Sequence, residues 1–419
     1  MIVYEFKVKG KKHQYQAIDE AIKTAQFVRN KCLRHWMDSK NVSRAELYRY
    51  NTKLRSEFPF VKDLNSHATQ ASVERGWSSI ARFFDNCKKQ IPGKKVDSQL
   101  AVARRDYGNQ AGYPCFKKNA RSVEYKTSGW KLLDPKHIEF TDKKGIGKLK
   151  LIGTWDLAFY PQNKIKRVRL VRRADGYYCQ FCISVDVREE LPPTQKTIGL
   201  DVGLKEFYTD SMGQTEPNPR FYRQGEERLR FYQHRVSRKK KGSINRKKAI
   251  NKLGRKHLKI IRQREEHAKR LARCVIQSND LVAYEDLRIK NLVKNHCLAP
   301  PSAPLSKGGW GVDAGWYQFR KWLEYFGVKM GRVTVAVNSA YTSQNCSNCG
   351  AVVKKSLSTR THICACGCQL DRDENAAINI LNRALGTTGH VGTWILDPNA
   401  SGDLSSTVVG SSWDSKTGR

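Results

Sequence analysis

The stretch Thr197-Ile198-Gly199-Leu200-Asp201-Val202-Gly203 is a short apolar segment that ends in an acid, with a glycine on each side of that acid. Its length and its flanking glycines predict a buried strand, and Phe207-Tyr208-Thr209 is the expected hairpin partner. The small residues near Asp201 leave room for a phosphate group or a metal ion to approach the backbone. We therefore expect an α/β domain in which this strand ends in a functional carboxylate.

Two further segments place acids at structural edges. Asp280–Leu287 contains a second apolar strand, which ends at Glu285, and Asp371–Leu381 begins with acids and continues as a good helix former, with Asp373 near the first turn. Carboxylate oxygens suit Mg²⁺, and two such ions about 3.5–4 Å apart can hydrolyse a phosphodiester. Each acid taken alone is more often a turn residue or a helix cap, so the hypothesis rests on the combination. It assigns Mg²⁺ or Mn²⁺ to Asp201, Glu285 and Asp373.

The net charge of the chain indicates the class of molecule that it binds. Lys and Arg total 77 and Asp and Glu total 39, which gives a net charge of +38. Such an excess favours a polyanionic partner, most often nucleic acid, although charge alone does not distinguish an enzyme from a structural RNA-binding protein. No apolar run approaches the roughly 20 residues of a membrane-spanning helix, so no membrane partner is expected. Residues 222–275 form a long, very basic helical region that we expect to contact nucleic acid.

Hydrophobic periodicity divides the rest of the chain. Residues 1–13 and 121–190 alternate with a period of two, with a hairpin signal at Asp175-Gly176, and predict a small β-barrel or sandwich. Residues 14–120 predict helices followed by a basic loop. Residues 386–419 are rich in Gly, Ser and Thr and are expected to be flexible. The first residues lack the basic patch and apolar block of a signal peptide, so we expect a cytoplasmic protein in a prokaryote or a nuclear one in a eukaryote.

Five of the 12 cysteines lie between Cys346 and Cys368. Two cysteine pairs at this separation predict a tetrahedral Zn²⁺ site. Cys346 and Cys349 are the first pair, and Cys364 and Cys366 are favoured as the second, with Cys368 in reserve. Four thiolates leave no coordination position for a substrate, so a structural role is expected, with redox chemistry as the weaker alternative. The other seven cysteines are expected to be reduced and mostly buried.

These segments together resemble the TnpB family, which is encoded by IS200/IS605-type insertion sequences and is thought to be ancestral to Cas12 nucleases. The resemblance is carried by four segments: Ile198–Gly203, Tyr284–Leu287, Tyr341–Gly350 and Asp371–Leu381. In the N-terminal half it rests on layout and on Tyr113–Lys117. One departure is the Cys364-x-Cys366 spacing, where Cys-x-x-Cys is more usual, and it affects only the zinc ligand set.

The resemblance implies a multidomain α/β and β-barrel fold. Its parts would be a RuvC or RNase H-like nuclease core, a zinc ribbon inserted before the last catalytic motif, a wedge-like β-barrel, a helical recognition insertion and a flexible tail. We expect the nuclease core in residues 196–345 and 369–385 and the zinc ribbon in 341–368. The wedge-like β-barrel is expected in 1–13 and 121–190, the helical recognition insertion in 14–120, and the flexible tail in 386–419.

The resemblance also implies an RNA-guided DNA endonuclease of a transposable element. A guide RNA from the transposon end would pair with double-stranded target DNA, and Asp201, Glu285 and Asp373 would be the metal-binding acids, with Asp371 as the second choice in its segment. Two alternatives remain, a transposase that transfers DNA strands with the same core, and a non-catalytic DNA-binding protein that assists transposition. The acids alone do not separate hydrolysis from strand transfer, but the chain lacks the His-x-His motif of single-strand transposases.

Overall fold

The computed structural model describes residues 1–39, 41–91, 112–186, 188–287, 315–356 and 359–388. The chain divides after Asp186 into two compact units. Among the described residues, no helix combines the length and the apolar character needed to cross a membrane.

The N-terminal unit consists of one antiparallel sheet and a group of helices. Its elements are β1 (Ile2–Lys9), α1 (Lys12–Asp38), α2 (Arg44–Glu57), α3 (Pro59–Lys62), α4 (Ser66–Lys88), β2 (Ser122–Tyr125), β3 (Trp130–Asp134), β4 (His137–Phe140), β5 (Gly147–Ile152), β6 (Ile165–Arg173) and β7 (Gly176–Ile183). The strand order is β2-β6-β7-β1-β5-β4-β3, so the first segment of the chain is the central strand.

This sheet is curled. Tyr125 lies on the edge strand β2 and Phe140 on β4, next to the opposite edge strand, yet their ring centroids are 4.9 Å apart. Aromatic and aliphatic side chains therefore fill the space that the curved sheet encloses, Phe6 and Phe181 among them. Within the described strands, hydrogen bonds do not join the edge strands β2 and β3, so the expected barrel is an open, curled sheet.

The helices of this unit bury the apolar faces that their periodicity indicates. On α1, Ile18 is buried in the core of the sheet, and Val28 and Cys32 are buried in a separate cluster with other helices. On α4, Ile80 is buried, but Phe84, which shares its periodicity, is 37% exposed, and the neighbouring Phe83 takes the core position. A helical repeat of 3.6 residues does not fix which of two adjacent aromatic residues faces the core.

The C-terminal unit is an α/β structure. Its elements are β8 (Thr197–Asp201), β9 (Glu206–Asp210), β10 (Thr215–Pro217), α5 (Phe221–Ser237), α6 (Ile244–Ser278), β11 (Leu281–Glu285), α7 (Trp316–Met330), β12 (Val333–Val337), β13 (Thr361–Ile363), β14 (Gln369–Asp371) and α8 (Arg372–Thr388). The main sheet has the order β10-β9-β8-β11-β12, in which β8, β11 and β12 are parallel, and β13 pairs only with β14.

Helices cover both faces of this sheet. Ile198 and Val282 pack with residues of α6 and α7, whereas Leu281 and Ala283 pack with residues of α8. This alternation follows from the two-residue repeat of a strand. The general α/β multidomain fold expected from the sequence is therefore present.

Gly199 sets the distance between α8 and the sheet. A Cβ atom on Gly199 would lie 2.2 Å from the Ala377 carbonyl oxygen and 2.9 Å from the Leu381 Cβ. Because real side-chain carbons do not approach a backbone oxygen so closely, only glycine allows α8 to lie directly on β8. The sequence predicts that this glycine leaves room beside Asp201, whereas its close contact in the structure is with α8.

Two expectations from the sequence, on the start of the tail and on the burial of the scattered cysteines, are only partly correct. α8 continues to Thr388, past residue 385, after which the flexible tail was expected to begin, and residues 389–419 lie outside the described ranges. Of the scattered cysteines, Cys32, Cys179 and Cys182 are buried, but Cys115 and Cys274 are exposed. A cysteine beside apolar neighbours in sequence is therefore a weak indicator of burial on a helix surface or in a loop.

Candidate active site and cysteine cluster

The parallel pairing of β8 and β11 brings two acids to one edge of the sheet. Leu200 is registered with Tyr284, so Asp201 and Glu285 are the next residue on each strand. Parallel strands end at the same edge, and apolar strand interiors bury everything before that edge. The sequence-predicted acids at the ends of these strands are therefore neighbours.

Electrostatics links the third acid to this pair. The pKa of the Asp201 carboxyl is raised well above its usual range, first by burial and then by the negative charges of Glu285 and Asp373, against a smaller effect of Arg372. Coulombic interactions weaken with distance, and those of Glu285 and Asp373 both act on the Asp201 carboxyl. The chain thus gathers like charges around a partly buried carboxylate.

The Glu285 carboxyl is largely buried and contacts the side chain of Thr342. Burial raises the pKa of its carboxyl, and this effect exceeds the opposing hydrogen bond from Thr342 and the positive charge of Arg383. The Thr342 hydroxyl lies 2.6 Å from Glu285 Oε1. One carboxylate oxygen therefore has a fixed partner.

The start of α8 separates the roles of its two acids. Asp371 Oδ1 accepts a hydrogen bond of 2.8 Å from the Asp373 backbone N–H, which is the geometry of a helix N-cap. Asp371 is exposed, whereas Asp373 is partly buried and pairs with Arg372 at 2.9 Å and Arg360 at 3.4 Å. The cap gives Asp371 a structural role, whereas the Asp373 carboxylate pairs with two arginines.

Asp201 and Glu285 share one edge of the sheet and Asp373 lies in the first turn of α8, but the three carboxylates do not form a compact ligand set. Among the described residues, the groups whose ligand atoms all lie within 4.8 Å of one another are built of cysteine and histidine. The arginine partners of Asp373 hold its carboxylate. The donor atoms nevertheless fit a hard divalent cation, because carboxylate oxygens are the ligands that Mg²⁺ and Mn²⁺ accept.

The cysteine cluster is compact. The sulfur atoms of Cys346, Cys349, Cys364 and Cys366 all lie within 4.8 Å of one another. Cys346 Sγ is 3.7 Å from Cys366 Sγ, and Cys349 Sγ is 3.5 Å from Cys364 Sγ. Four sulfur atoms at these separations fit tetrahedral zinc, whose bonds to sulfur are about 2.3 Å long.

Each cysteine pair lies in a tight turn that is closed by a backbone hydrogen bond. Gly350 N donates to the Cys346 carbonyl at 2.9 Å, and Gly367 N donates to the Cys364 carbonyl at 3.0 Å. Both glycines have a positive φ, 77° and 86°, which side-chain-bearing residues rarely adopt. Backbone N–H groups of Cys349 and Asn348 outweigh burial and lower the pKa of the Cys346 thiol to about 5. The thiolate, which is the form that binds metal, is therefore favoured.

The remaining cysteine of this region contributes to a second, overlapping group. Ligand atoms of Cys346, His362 and Cys368 also lie within 4.8 Å of one another. His362 is fully buried, and its Nδ1 contacts the amine of Lys355. A cation beside this ring opposes binding of a metal ion to the same group, so the four-cysteine set is the better zinc site.

Asparagine side chains of α8 hold the first cysteine turn. Asn375, which is fully buried, accepts from Ser347 N at 3.0 Å and donates to the Asn345 carbonyl at 2.8 Å. Asn379 donates to the carbonyls of Asn345 at 2.7 Å and Thr342 at 2.9 Å. Sequence reasoning did not single out these asparagines, although their spacing of four places them on one helix face.

The helices α5 and α6 are rich in lysine and arginine and pack against each other. Tyr222 and Leu229 on α5 pack against Ile260 on α6. Within the turn between the helices, residues Arg238, Lys239, Lys240 and Lys241 are all exposed. Lysines at this density on a solvated face suit a polyphosphate backbone.

Comparison with solved structures identifies the class to which the fold belongs. A cryo-EM structure of a Cas12f1-sgRNA-target DNA complex matches with a TM-score of 0.52 at 14% identity, covering 89% of this chain and 84% of the Cas12f1 chain. At that identity the likeness concerns the fold alone. In addition, residues 316–380 match the model of the Cas12f1-like TNB domain, which spans the cysteine cluster and the start of α8. The fold is therefore of the Cas12f1-like class.

Sequence relatives give the family. Residues 180–296 match the OrfB_IS605 model, described as "Probable transposase". A Streptomyces pristinaespiralis protein named "Putative RNA-guided DNA endonuclease" is 31% identical over 335 residues, which is 80% of this chain and 75% of that protein. The Escherichia coli K12 protein named "Putative RNA-guided DNA endonuclease InsQ" is 26% identical over 70% of this chain and 75% of its own length. The chain belongs to the TnpB family.

Proposed function

We propose that this protein is an RNA-guided DNA endonuclease of a transposable element, which cleaves DNA phosphodiesters with Asp201, Glu285 and Asp373. The observation that carries the proposal is the crowding of negative charge at one sheet edge, where Glu285 and Asp373 raise the pKa of the Asp201 carboxyl. Strongly perturbed acids in a family named for nuclease activity are candidates for catalysis. Family membership supplies the reaction class.

The acids have distinct parts in this site. Two divalent cations, when bound, would activate a water molecule and neutralise the charge that develops on the scissile phosphate. Asp201, whose pKa both other acids raise, would help to hold the cations. Glu285 presents the carboxylate oxygen that Thr342 leaves free. Asp373 would exchange its arginine partners for a cation, because an ion pair that is partly exposed contributes little stability.

The partners follow from charge and family. The relatives' names specify RNA guidance and DNA as substrate, and we extend both to this chain. The exposed lysines and arginines of α5 and α6 would contact the nucleic-acid backbone, while base pairing with the guide RNA supplies sequence choice. Zinc in the four-cysteine cluster would be structural. We assign the curled sheet to the wedge and the helices of residues 14–120 to the recognition domain.

The test uses the full chain purified with the RNA that accompanies it. DNA matched to that RNA should be cut in Mg²⁺, and Glu285→Gln and Asp373→Asn should each lower the cleavage rate by about 1000-fold or more, because a bound cation supplies several kcal/mol to the transition state. Asp286→Asn is the matched control, since Asp286 is an exposed neighbour of Glu285 that pairs with Arg320.

Each failure points to a different error. Cutting that persists after the RNA is digested contradicts RNA guidance. Cutting that survives Asp373→Asn but is lost in Asp371→Asn moves the third acid to Asp371. Products in which DNA ends are joined to new partners indicate the strand-transfer alternative, and binding without any cut product indicates an accessory DNA-binding protein.

A further inference from the structure

Thr342 contacts the Glu285 carboxylate from a buried position. Its side chain is 4% exposed, and its hydroxyl lies 2.6 Å from Glu285 Oε1 and 3.2 Å from the Ser339 carbonyl oxygen. A hydroxyl has one proton to donate, and the shorter contact to a charged acceptor takes it. The hydroxyl therefore occupies Oε1 and leaves Oε2 of Glu285 available.

The backbone around Thr342 is fixed to α8, the helix that begins beside Asp373. Asn379 donates to the Thr342 carbonyl at 2.9 Å. Arg383 donates to the carbonyls of Asn338 and Ala340, both at 2.7 Å. Residues 338–342 follow β12 directly, and β12 is paired with the strand that carries Glu285. Thr342 is thus joined by hydrogen bonds to Glu285 on one side and to α8 on the other.

We propose that Thr342 is a positioning residue, whose hydroxyl orients the Glu285 carboxylate for a divalent cation and whose backbone ties that orientation to α8. The inference rests on the proposed function, because it assumes that Glu285 is a metal-binding acid. A glutamate side chain has several rotatable bonds, so a fixed partner on one oxygen removes rotational freedom that cation binding would otherwise have to restrict. Hydrogen-bond partners of metal ligands typically change metal affinity by about 10–100-fold.

The test compares two substitutions of Thr342 in the full chain with its co-purified RNA. Thr342→Val keeps the shape but loses the hydroxyl, and Thr342→Ser keeps the hydroxyl. Mn²⁺ binding is measured by electron paramagnetic resonance, and the Mg²⁺ concentration that gives half-maximal cleavage is measured alongside. Thr342→Val should weaken both by about 10–100-fold, and Thr342→Ser should restore both toward the wild-type values.

The matched control is Thr69→Val, which removes another buried hydroxyl, one that bonds the Ser66 carbonyl in the N-terminal unit. It should leave Mn²⁺ affinity unchanged, whatever its effect on thermal stability. Should Thr342→Val fail to fold, Asn379→Asp removes the donor to the Thr342 carbonyl, and it should weaken Mn²⁺ binding in the same direction but less.

The outcomes separate this inference from the proposed function. If the wild type cleaves matched DNA and Thr342→Val binds Mn²⁺ and cleaves as the wild type does, the positioning role is wrong and the nuclease assignment stands. If the wild type does not cleave, yet Thr342→Val weakens Mn²⁺ binding, the positioning role stands and the nuclease assignment is wrong. A wild type that neither binds Mn²⁺ nor cleaves overturns both.

Discussion

Two partly or fully buried acids, one in each unit, have opposite electrostatic surroundings. Glu124 on β2 is paired with Arg75 at 3.3 Å, Arg167 at 2.7 Å and Arg169 at 2.6 Å. Burial alone would raise the pKa of this carboxyl, but the three guanidinium groups outweigh it and hold the pKa at about 2. At Asp201, burial and neighbouring acids act together and raise the pKa well above the usual range.

The difference separates an acid whose neighbours favour its charged form from one whose neighbours oppose it. A carboxylate with three arginine partners contributes to stability while it stays charged. A carboxylate surrounded by other carboxylates destabilises the folded chain, and such an arrangement persists where function requires it. A divalent cation would add positive charge at Asp201, where the effect of Arg372 is outweighed by burial and the neighbouring acids.

The largest expected effect of a single substitution is at the cysteine cluster, where negatively charged thiolates would be neutralised by zinc. Cys366→Ser should abolish binding of one zinc equivalent and disorder residues 346–368, because zinc binding of this kind contributes on the order of 10 kcal/mol to local folding. Cys368→Ser is the matched control and should keep the zinc, since Cys368 lies outside the four-cysteine set. Metal analysis of both purified variants measures this directly.

The opposite result, in which Cys368→Ser loses zinc and Cys366→Ser keeps it, would move the fourth ligand to Cys368. A folded wild type that contains no zinc would contradict the site itself.

The next effect concerns Glu124 as a structural acid. Glu124→Gln should lower the free energy of unfolding by about 3 kcal/mol, because the buried carboxylate loses the charge that its three partly exposed arginine partners stabilise. Glu57→Gln, which removes an exposed partner of Lys53, should change it by less than about 1 kcal/mol. Urea denaturation measures both. Equal stability of the two variants would mean that the arginine cluster does not stabilise the N-terminal unit.

The pH dependence of stability has a defined sign for the same acid. The pKa of Glu124 is about 2 in the folded chain, against an ordinary value of 4.5. The stabilisation is therefore complete above about pH 5 and is lost as the pH falls from 4.5 toward 2, by about 3 kcal/mol in total. The difference in unfolding free energy between the wild type and Glu124→Gln, measured from pH 6 to pH 3, should shrink over this window. A difference that stays constant would contradict the lowered pKa.

The smallest effect tests the contact that brings α8 to the sheet. Gly199→Ala places a carbon against the Ala377 carbonyl, and such overpacking costs about 1–3 kcal/mol. Because α8 carries Asp373, cleavage should fall more than stability alone explains. Gly213→Ala is a useful comparison, since its added carbon would meet the flexible end of Glu374 rather than backbone, although its φ of 77° adds strain. Thermal melting and cleavage rates are measured for both variants. A larger loss of cleavage in Gly199→Ala than in Gly213→Ala is expected, and equal losses would contradict a special role for the contact with α8.

Local sequence patterns predicted most of the site-bearing elements. The apolar runs that end at Asp201 and Glu285 are strands whose parallel pairing places both acids at one edge, and Asp373 lies in the first turn of its helix. The second cysteine pair at Cys364 and Cys366 also agrees with the compact sulfur group. These features depend on periodicity and short spacing, which the sequence contains directly.

The contacts between distant segments could not be predicted in this way. Thr342 meets Glu285 across 57 positions, and Gly199 meets Ala377 across a still longer separation. Each contact depends on how β12, the cysteine region and α8 pack together, which no local pattern specifies. The arginine partners of Asp373 could not be predicted for a different reason. Arg372 is adjacent to Asp373 in the chain, but it and Arg360 are ordinary members of a very basic chain.

The most direct measurement takes two readings from one variant, Asp201→Asn, in buffer without magnesium for stability and with magnesium for cleavage. If Asp201 is a functional acid crowded by Glu285 and Asp373, the variant should melt at a higher temperature than the wild type and cut matched DNA about 1000-fold more slowly or not at all. A variant that melts at a lower temperature, as Glu124→Gln should, while cleavage persists would show that Asp201 is a structural acid and that the active site lies elsewhere.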